Sequence, residues 1–258
     1  METRTQGLFD QYGCLRRSGS MAIVEKASMR KRRDSTIAID GIELLADLSG
    51  ALFWPDEGVL VAADLHLEKG SACAARGLLL PPYDTASTLQ RLAWVIVFYD
   101  PRVVIALGDS FHDSRGAARL GETDRRTLVS LQHGRDWLWV AGNHDPVPAS
   151  GLGGEFVQSI ACGRLQFRHE PSPQPCTGEI AGHLHPSAGI SQRGRALIRR
   201  CFAASEERLI LPAFGAYAGG LNIRDGAFFE VFGTLGFTAY LIGKRALYPL
   251  PASRCLGW

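Results

Sequence analysis

The sequence predicts an α/β protein, a four-layer αββα sandwich in which two mixed β-sheets are flanked by helices. Three observations carry this reading. The first half alternates apolar runs with helical patterns, the second half breaks into short strands separated by Gly, Pro and Ser, and 258 residues with 46% hydrophobic composition suit one substantial domain.

Three runs in the first half read as buried strands: Val59-Leu60-Val61-Ala62-Ala63, Val103-Val104-Ile105-Ala106-Leu107 and Trp137-Leu138-Trp139-Val140-Ala141. Near-continuous apolar runs mark parallel strands covered on both faces. Between them, 82–99 puts Leu89, Leu92, Val95 and Ile96 on one helical stripe, and 117–131 reads as a second crossover helix. After Asn143, strands are predicted over 156–160, 164–168, 178–181, 196–203, 208–211, 227–231 and 237–242, forming a second, more antiparallel sheet. Strands over 35–46 and 51–54 can join either sheet. Trp94, Phe98, Trp137 and Trp139 fall in these patterns as core, whereas Phe214 and Tyr217, beside Gly219-Gly220, are candidates for stacking on a ligand.

Each buried run ends in a polar motif. Asp64-Leu65-His66 follows the first, Gly108-Asp109 the second and Gly142-Asn143-His144-Asp145 the third, while Gly182-His183-Leu184-His185 closes a later strand. Open α/β sheets bind their ligands just past the carboxyl ends of the strands. In Asp64-x-His66 the side chains share one face of an extended backbone, since residues two apart point the same way. His183 and His185 have the same spacing. Asp109 has two oxygens able to bridge two ions, Asn143 adds a neutral amide oxygen, and His169 adds an imidazole at the end of the 164–168 strand. Such a set, with Asp109 able to join two ions, suits manganese, iron or zinc better than calcium or magnesium. Five of the seven histidines belong to these segments (His66, His144, His169, His183 and His185), a concentration that surface-filling histidines do not produce.

Taken in order, the motifs resemble the calcineurin-like metallophosphoesterase superfamily, whose pattern is D-x-H, G-D, G-N-H-[DE], a single His and then G-H-x-H. The resemblance spans 35–242. It implies that Asp64, His66, Asp109 and His185 hold one metal and Asp109, Asn143, His169 and His183 the other. It leaves His144 as the catalytic histidine, with Asp145 orienting it. The implied chemistry is hydrolysis of a phosphodiester by a metal-bridging hydroxide while His144 protonates the departing alkoxide. One departure stands out. The superfamily's frequent G-D-x-x-D reads here Gly108-Asp109-Ser110-Phe111-His112-Asp113, which makes His112 either a contact to substrate phosphate or a surface-loop histidine.

A narrower resemblance rests on Ala63-Asp64-Leu65-His66-Leu67-Glu68-Lys69-Gly70, Arg76-Gly77, Leu80-Pro81-Pro82-Tyr83-Asp84-Thr85, the Gly108 to Asp113 segment and Pro212-Ala213-Phe214-Gly215-Ala216-Tyr217-Ala218-Gly219-Gly220-Leu221-Asn222. These are similar to the PdeM family of bacterial ligase-associated DNA damage response endonucleases. The resemblance implies a manganese-dependent nuclease acting on DNA, single-stranded or end-containing, with a functional link to a DNA ligase, a helicase and an exonuclease. Two other readings stay open. A small-molecule phosphodiesterase of the cyclic-nucleotide type, or a phosphatase, can use the same site. A noncatalytic scaffold is the third, against which the intact His144 argues.

Charge and cysteine usage bound the rest. A net charge of +2 excludes the strong global field of a nonspecific nucleic-acid binder. Met29-Arg30-Lys31-Arg32-Arg33 forms one basic cluster; Arg193, Arg195, Arg199 and Arg200 form another, read either as a grip on flanking phosphates, with Arg193 and Arg195 as substrate contacts, or as a charge-protected edge strand. Residues 1–34 read as a disordered basic extension, and 35–258 as a single domain. The chain has no apolar core of a secretory signal and no run approaching the roughly 18 residues of a membrane span. Its six cysteines have no paired spacing. A reduced, cytoplasmic protein without membrane contact is expected.

Overall fold

The computed structural model describes residues 35–147, 151–233 and 236–258, so the expected extension over 1–34 lies outside the described residues. The first sheet begins with a hairpin. Ser35–Ile39 (β1) and Ile42–Ala46 (β2) pair antiparallel with Ile39 opposite Ile42. Asp40 and Gly41 make the two-residue turn with φ of 49° and 77°, both left-handed, as a type I′ turn requires. Leu52–Trp54 (β3) and Val59–Ala63 (β4) continue antiparallel; Val103–Leu107 (β5), Asp136–Val140 (β6) and Glu155–Val157 (β7) then run parallel to β4. The early strands thus join the first sheet, as its antiparallel edge.

Helices Lys69–Ala74 (α1), Asp84–Tyr99 (α2), Gly116–Arg119 (α3) and Glu122–Gln132 (α4) lie in the crossovers. The predicted stripe of α2 (Leu89, Leu92, Val95 and Ile96) packs on Leu60, Ala62, Val104 and Ala106. The alternate residues of the same strands, Val59, Val61, Ala63, Ile105 and Leu107, face the second sheet. Both faces of β4 and β5 are therefore buried, which is why the runs are continuous. The helix expected over 117–131 is instead two, because the chain turns extended at Leu120 (ψ 120°) and Gly121 (ψ 151°) before α4 starts.

Within the second sheet, Ser159–Cys162 (β8), Leu165–Arg168 (β9), Glu179–Ala181 (β10), Pro186–Gln192 (β11), Arg195–Ala204 (β12), Arg208–Ile210 (β13) and Leu221–Asn222 (β14) run in the order β14-β11-β12-β13-β10-β9-β8. Thr238–Ile242 (β15) pairs with β12, and Leu247–Pro251 (β16) with β15. Strands β9, β10 and β13 are mutually parallel, so the sheet is mixed. The predicted 156–160 strand is split: its first part closes the first sheet as β7 and its second opens the second sheet as β8.

One predicted strand is a helix. Residues 227–231 lie in Gly226–Phe232 (α5), where the side chain of Asp225 caps the start by accepting from the Ala227 amide. Phe228 and Phe232, four apart, bury the same face and stack on Phe237, which a strand's period of two cannot arrange. Helix α5 covers the outer face of the second sheet, over Ala203, Ile210 and Leu241. Helices, sheet, sheet and helix thus make four layers, with the largest apolar cluster between the sheets. Two aromatics depart from expectation. Trp94 is 70% exposed on the outer face of α2, and Phe214 is fully buried beneath the Arg91 guanidinium, 4.8 Å from its ring centre. Among the described residues, no helix is long and apolar enough to cross a membrane. Cys73, Cys162, Cys176, Cys201 and Cys255 are free thiols.

Candidate metal centre

The carboxyl ends of parallel strands from both sheets open onto one place. Asp64 follows β4, Asp109 follows β5 across Gly108, and Asn143 follows β6; from the other sheet, His169 follows β9, while His183 and His185 lie between β10 and β11. Two nests of donor atoms form there. In the first, His66 Nε2 is 3.2 Å from His185 Nε2, His185 Nε2 is 3.3 Å from Asp64 Oδ1, and His66 Nε2 is 3.9 Å from Asp109 Oδ2. In the second, Asn143 Oδ1 is 2.9 Å from His169 Nε2 and 3.1 Å from His183 Nδ1. The two imidazole nitrogens are 3.3 Å apart, and His169 Nε2 is 3.4 Å from Asp109 Oδ2.

These spacings fit metal ions. Bonds of about 2.0–2.2 Å to a shared cation put neighbouring donor atoms about 3–3.6 Å apart, a range that takes in these separations except the 3.9 Å from His66 to Asp109. Asp64, His66 and His185, and also Asp64, Asp109 and His169, are groups able to hold an ion. The donors are oxygen and imidazole nitrogen, the set suited to borderline divalent metals.

The backbone here is not extended. Asp64, His66, Asp109, His183 and His185 all have left-handed φ, between 43° and 68°, which corrects the expectation that Asp64-x-His66 shares the face of a strand. A left-handed non-glycine residue costs about 1–2 kcal/mol, so five in one site need external support. Backbone bonds between loops supply it. The amides of Asp64, His66 and Leu67 donate to the carbonyls of Gly108, Asp109 and Ser110, and Leu67 pairs with Phe111 as an isolated parallel bridge. Side chains join in: Asp64 accepts from the His183 amide at 3.1 Å, and Asp109 from the His144 amide at 2.9 Å. Glycine is required twice. A Cβ on Gly108, whose φ is 74°, would overlap the His169 ring, and one on Gly142 would overlap the Asp109 amide.

Protonation follows from burial and neighbours. His66 is pushed down to about 3, by burial first and then by His185, so its imidazole is the neutral, ligating form. His183 is lowered by burial and by His169. Burial pushes Asp109 up, yet the hydrogen bond and charge of His169 and the His144 amide outweigh it and bring the carboxyl down to about 2. The same contact outweighs burial at His169 and raises it.

His144 and Asp145 are arranged differently from expectation. His144 Nδ1 bonds the carbonyl oxygen of His112 at 2.8 Å, while Nε2 is 3.8 Å from Asp109 Oδ2. Asp145 accepts from the amides of Phe111 at 3.0 Å and Gly142 at 3.2 Å. It ties the second and third motif loops together, and the His112 carbonyl is what orients the His144 ring. The reason is depth: Asp145 is buried under the loops, where burial pushes its carboxyl up to about 6, whereas His144 is half-exposed at the rim. His112 stacks on His144 with ring centres 5.3 Å apart, next to His66. Burial, then Lys69 and His144, lowers its pKa.

Arg193 and Arg195 are not brought to the site. They are exposed at the turn between β11 and β12, and β11 starts at Pro186 beside His185, so at about 3.3 Å per residue the turn is roughly 20 Å away. Arg200 instead donates to the carbonyls of Ala213 and Ser49. Tyr217 donates its hydroxyl to the Pro81 carbonyl. Sequence reasoning missed two supports. Glu68, itself left-handed at φ 64°, accepts from Ser71 Oγ and Thr85 Oγ1 at 2.6 and 3.0 Å, and Asp84 accepts from the Gly70 amide at 2.9 Å, pinning the chain just after His66. Glu179, fully buried, receives Arg208 at 3.4 Å and the Ser172 amide at 2.8 Å, anchoring the segment after His169. All three acids were on view in the sequence, but Thr85, Gly70 and Arg208 each lie 14 or more positions from the acid they meet.

Two mixed sheets with helices outside, and an Asp/Asn/His cluster at their strand ends, define the class: a metallophosphoesterase fold with candidate sites for divalent metal. No family model and no curated protein matches the chain. Among solved structures it is similar to the crystal structure of Pseudomonas putida nuclease MPE, with a TM-score of 0.65 and 26% sequence identity, over 84% of this chain and 100% of that one.

Proposed function

We propose that this protein is a two-metal phosphodiesterase that cleaves nucleic acid, with DNA as the favoured substrate. The observation that carries the reading is the convergence of seven donor side chains, from five separate segments, into two nests about one shared carboxylate, Asp109. Asp64, His66, Asp109 and His185 would hold one ion; Asp109, Asn143, His169 and His183 would hold the other. Manganese is the favoured metal, with iron, zinc and magnesium as alternatives. Two such cations, when bound, would supply an acidified water as nucleophile and neutralise charge on the phosphate.

The chain's own groups do the rest. Asp109 carries negative charge at the point where the two nests meet, and Asn143 contributes an oxygen without adding charge. His144 donates a proton to the leaving oxygen through Nε2, its ring held by the His112 carbonyl at Nδ1. Asp145 keeps the loops carrying Asp109 and Asn143 in register. Similarity to a protein described as a nuclease supports a nucleic-acid substrate. The preference for DNA, single-stranded or with ends, and the link to ligase, helicase and exonuclease, rest on the resemblance of the 63–85 and 212–222 segments to the PdeM family.

The test is manganese-dependent hydrolysis of bis-p-nitrophenyl phosphate and of labelled single-stranded DNA, by wild type, Asp109→Asn and His144→Ala. Cleavage of both by wild type, lost with Asp109→Asn, is the expected result. Cleavage of the small ester alone would move the substrate to small molecules. Bound metal without any turnover would make the protein a scaffold.

A further inference from the structure

Two arginines meet on one short segment of the chain with no carboxylate between them. Arg91, on α2, lies over the Phe214 ring, its guanidinium carbon 4.8 Å from the ring centre. Arg200, on β12, donates to the carbonyl of Ala213, the residue before Phe214, at 2.6 Å and to that of Ser49 at 3.4 Å. Both arginines are half-buried. Among the described residues neither pairs with an acidic group, and Arg91 Nε is buried without a hydrogen-bond partner. The half-buried Arg119 and Arg168 and the buried Arg208, by contrast, each face Asp113 or Glu179. Asp47, two residues before Ser49, is taken by the Ser49 amide at 2.8 Å and the Tyr99 hydroxyl at 3.2 Å.

The pair is electrostatically incomplete. Carbonyl oxygens and a ring face attract a guanidinium but carry no net charge to cancel it. Burial first, and then Arg200, push Arg91 down to about 10, and burial lowers Arg200 as well. Charges withdrawn from water need an opposite charge, and the planar forks of two arginines suit the oxygens of a phosphate group. The position is at the metal end of the first sheet but outside the two nests. The Phe214 and Gly215 amides donate to the carbonyls of Ala63 and Asp64 at 2.8 and 3.0 Å, so the segment that carries the pair runs on to a metal-centre residue. Ser49 and Gly50 precede β3, which pairs with β4 on the side away from β5.

We propose that Arg91 and Arg200 form a site for one phosphate group, separate from the metal nests, with the phosphate oxygens bound by both guanidinium groups. The site stands on the arginines alone; that its phosphate belongs to a nucleic-acid strand held for cleavage rests on the phosphodiesterase reading above.

The test reads binding without turnover. The affinity of inorganic phosphate is taken from the rise in melting temperature with phosphate concentration, at constant ionic strength and in EDTA, which keeps metal-held phosphate out of the measurement. Wild type, Arg91→Gln and Arg200→Gln are compared. Each variant is expected to bind phosphate about tenfold more weakly, the scale of one charge-assisted hydrogen bond. Equal affinity in wild type and either folded variant overturns the proposal. Wild-type crystals soaked in tungstate, a tetrahedral anion that scatters strongly, give a reading that needs no variant: density between Arg91 and Arg200 is expected, and its absence overturns the site. Kinetics of the manganese-loaded enzymes then separate the sources of phosphate. A rise in KM of about tenfold on a single-stranded oligonucleotide, well above any rise on bis-p-nitrophenyl phosphate, assigns the site to a strand; an unchanged KM beside weakened phosphate binding assigns it to free phosphate. Wild type that hydrolyses neither substrate removes the phosphodiesterase reading, while the phosphate affinities still decide the site.

Discussion

His144 Nδ1 lies 2.8 Å from the carbonyl oxygen of His112. A carbonyl only accepts, so Nδ1 carries a proton and the ring is aimed by backbone, with Nε2 left toward Asp109 and the metal nests. The residue that orients the ring is thus 32 positions away in sequence.

A proton donor matters most for a poor leaving group. His144→Ala is expected to lower kcat on DNA by about 10²–10⁴-fold and on bis-p-nitrophenyl phosphate by far less, because nitrophenolate leaves without a proton. Paired kinetics on the two substrates decide this, and equal losses on both would remove His144 from the role of acid.

Gly108 admits the His169 ring. Gly108→Ala forces a side chain onto a left-handed residue and against that imidazole, so the variant is expected to retain the fold but bind one manganese less per chain than wild type. Metal analysis after gel filtration checks it; full metal content would mean that the ring shifts freely.

Glu179 is a buried charge met by two arginines, Arg208 at 3.4 Å and Arg168 at 3.5 Å. Glu179→Ala takes the carboxylate from both guanidinium groups and leaves Arg208 with backbone carbonyls alone, and a loss of about 3–5 kcal/mol in urea unfolding is expected. A change within about 0.5 kcal/mol, the range of an ordinary surface substitution, would contradict the pairing.

Asp225 distinguishes helix from strand in the 226–232 segment. Asp225→Ala removes the cap on the Ala227 amide and is expected to cost about 1 kcal/mol, with a small drop in helical circular dichroism. No change in either signal would count against the cap.

Cys162 gives a pH signature. Burial pushes its thiol from 9.0 up to about 11 in the folded chain. Between those values the unfolded chain has released the proton and the folded chain has kept it, so stability falls as pH rises through this window. Urea midpoints at pH 8.5 and 10.5 are expected to separate more in wild type than in Cys162→Ala. Identical slopes would mean that the thiol ionises as readily folded as unfolded.

Much of the architecture was readable along the chain. The runs before Asp64, Gly108 and Ala141 and the stripe of α2 are local patterns, and a strand buried on both faces or a helix buried on one declares itself by period alone. The Asp40-Gly41 turn was equally local, yet passed unread inside a single predicted strand. Residues 227–231 misled because aromatic and β-branched composition favours strands, while the Asp225 cap and the packing of Phe228 and Phe232 decided for helix. Trp94 and Phe214 were exchanged for the same reason, since composition does not say which side of an element faces the core.

The identities of the candidate metal-centre residues were likewise readable along the chain, because carboxylate, amide and imidazole chemistry belongs to the residue and the motif order is linear. What the tertiary structure alone decided is how they meet. Asp64, His66, Asp109, His183 and His185 adopt left-handed backbone because hydrogen bonds between distant loops hold them there, Arg193 and Arg195 are carried away by the length of β11, and Asp145 braces loops instead of His144. The physical reason is range: side-chain chemistry and local periodicity are written within a few residues, whereas strain, aim and distance depend on contacts between segments that only folding brings together.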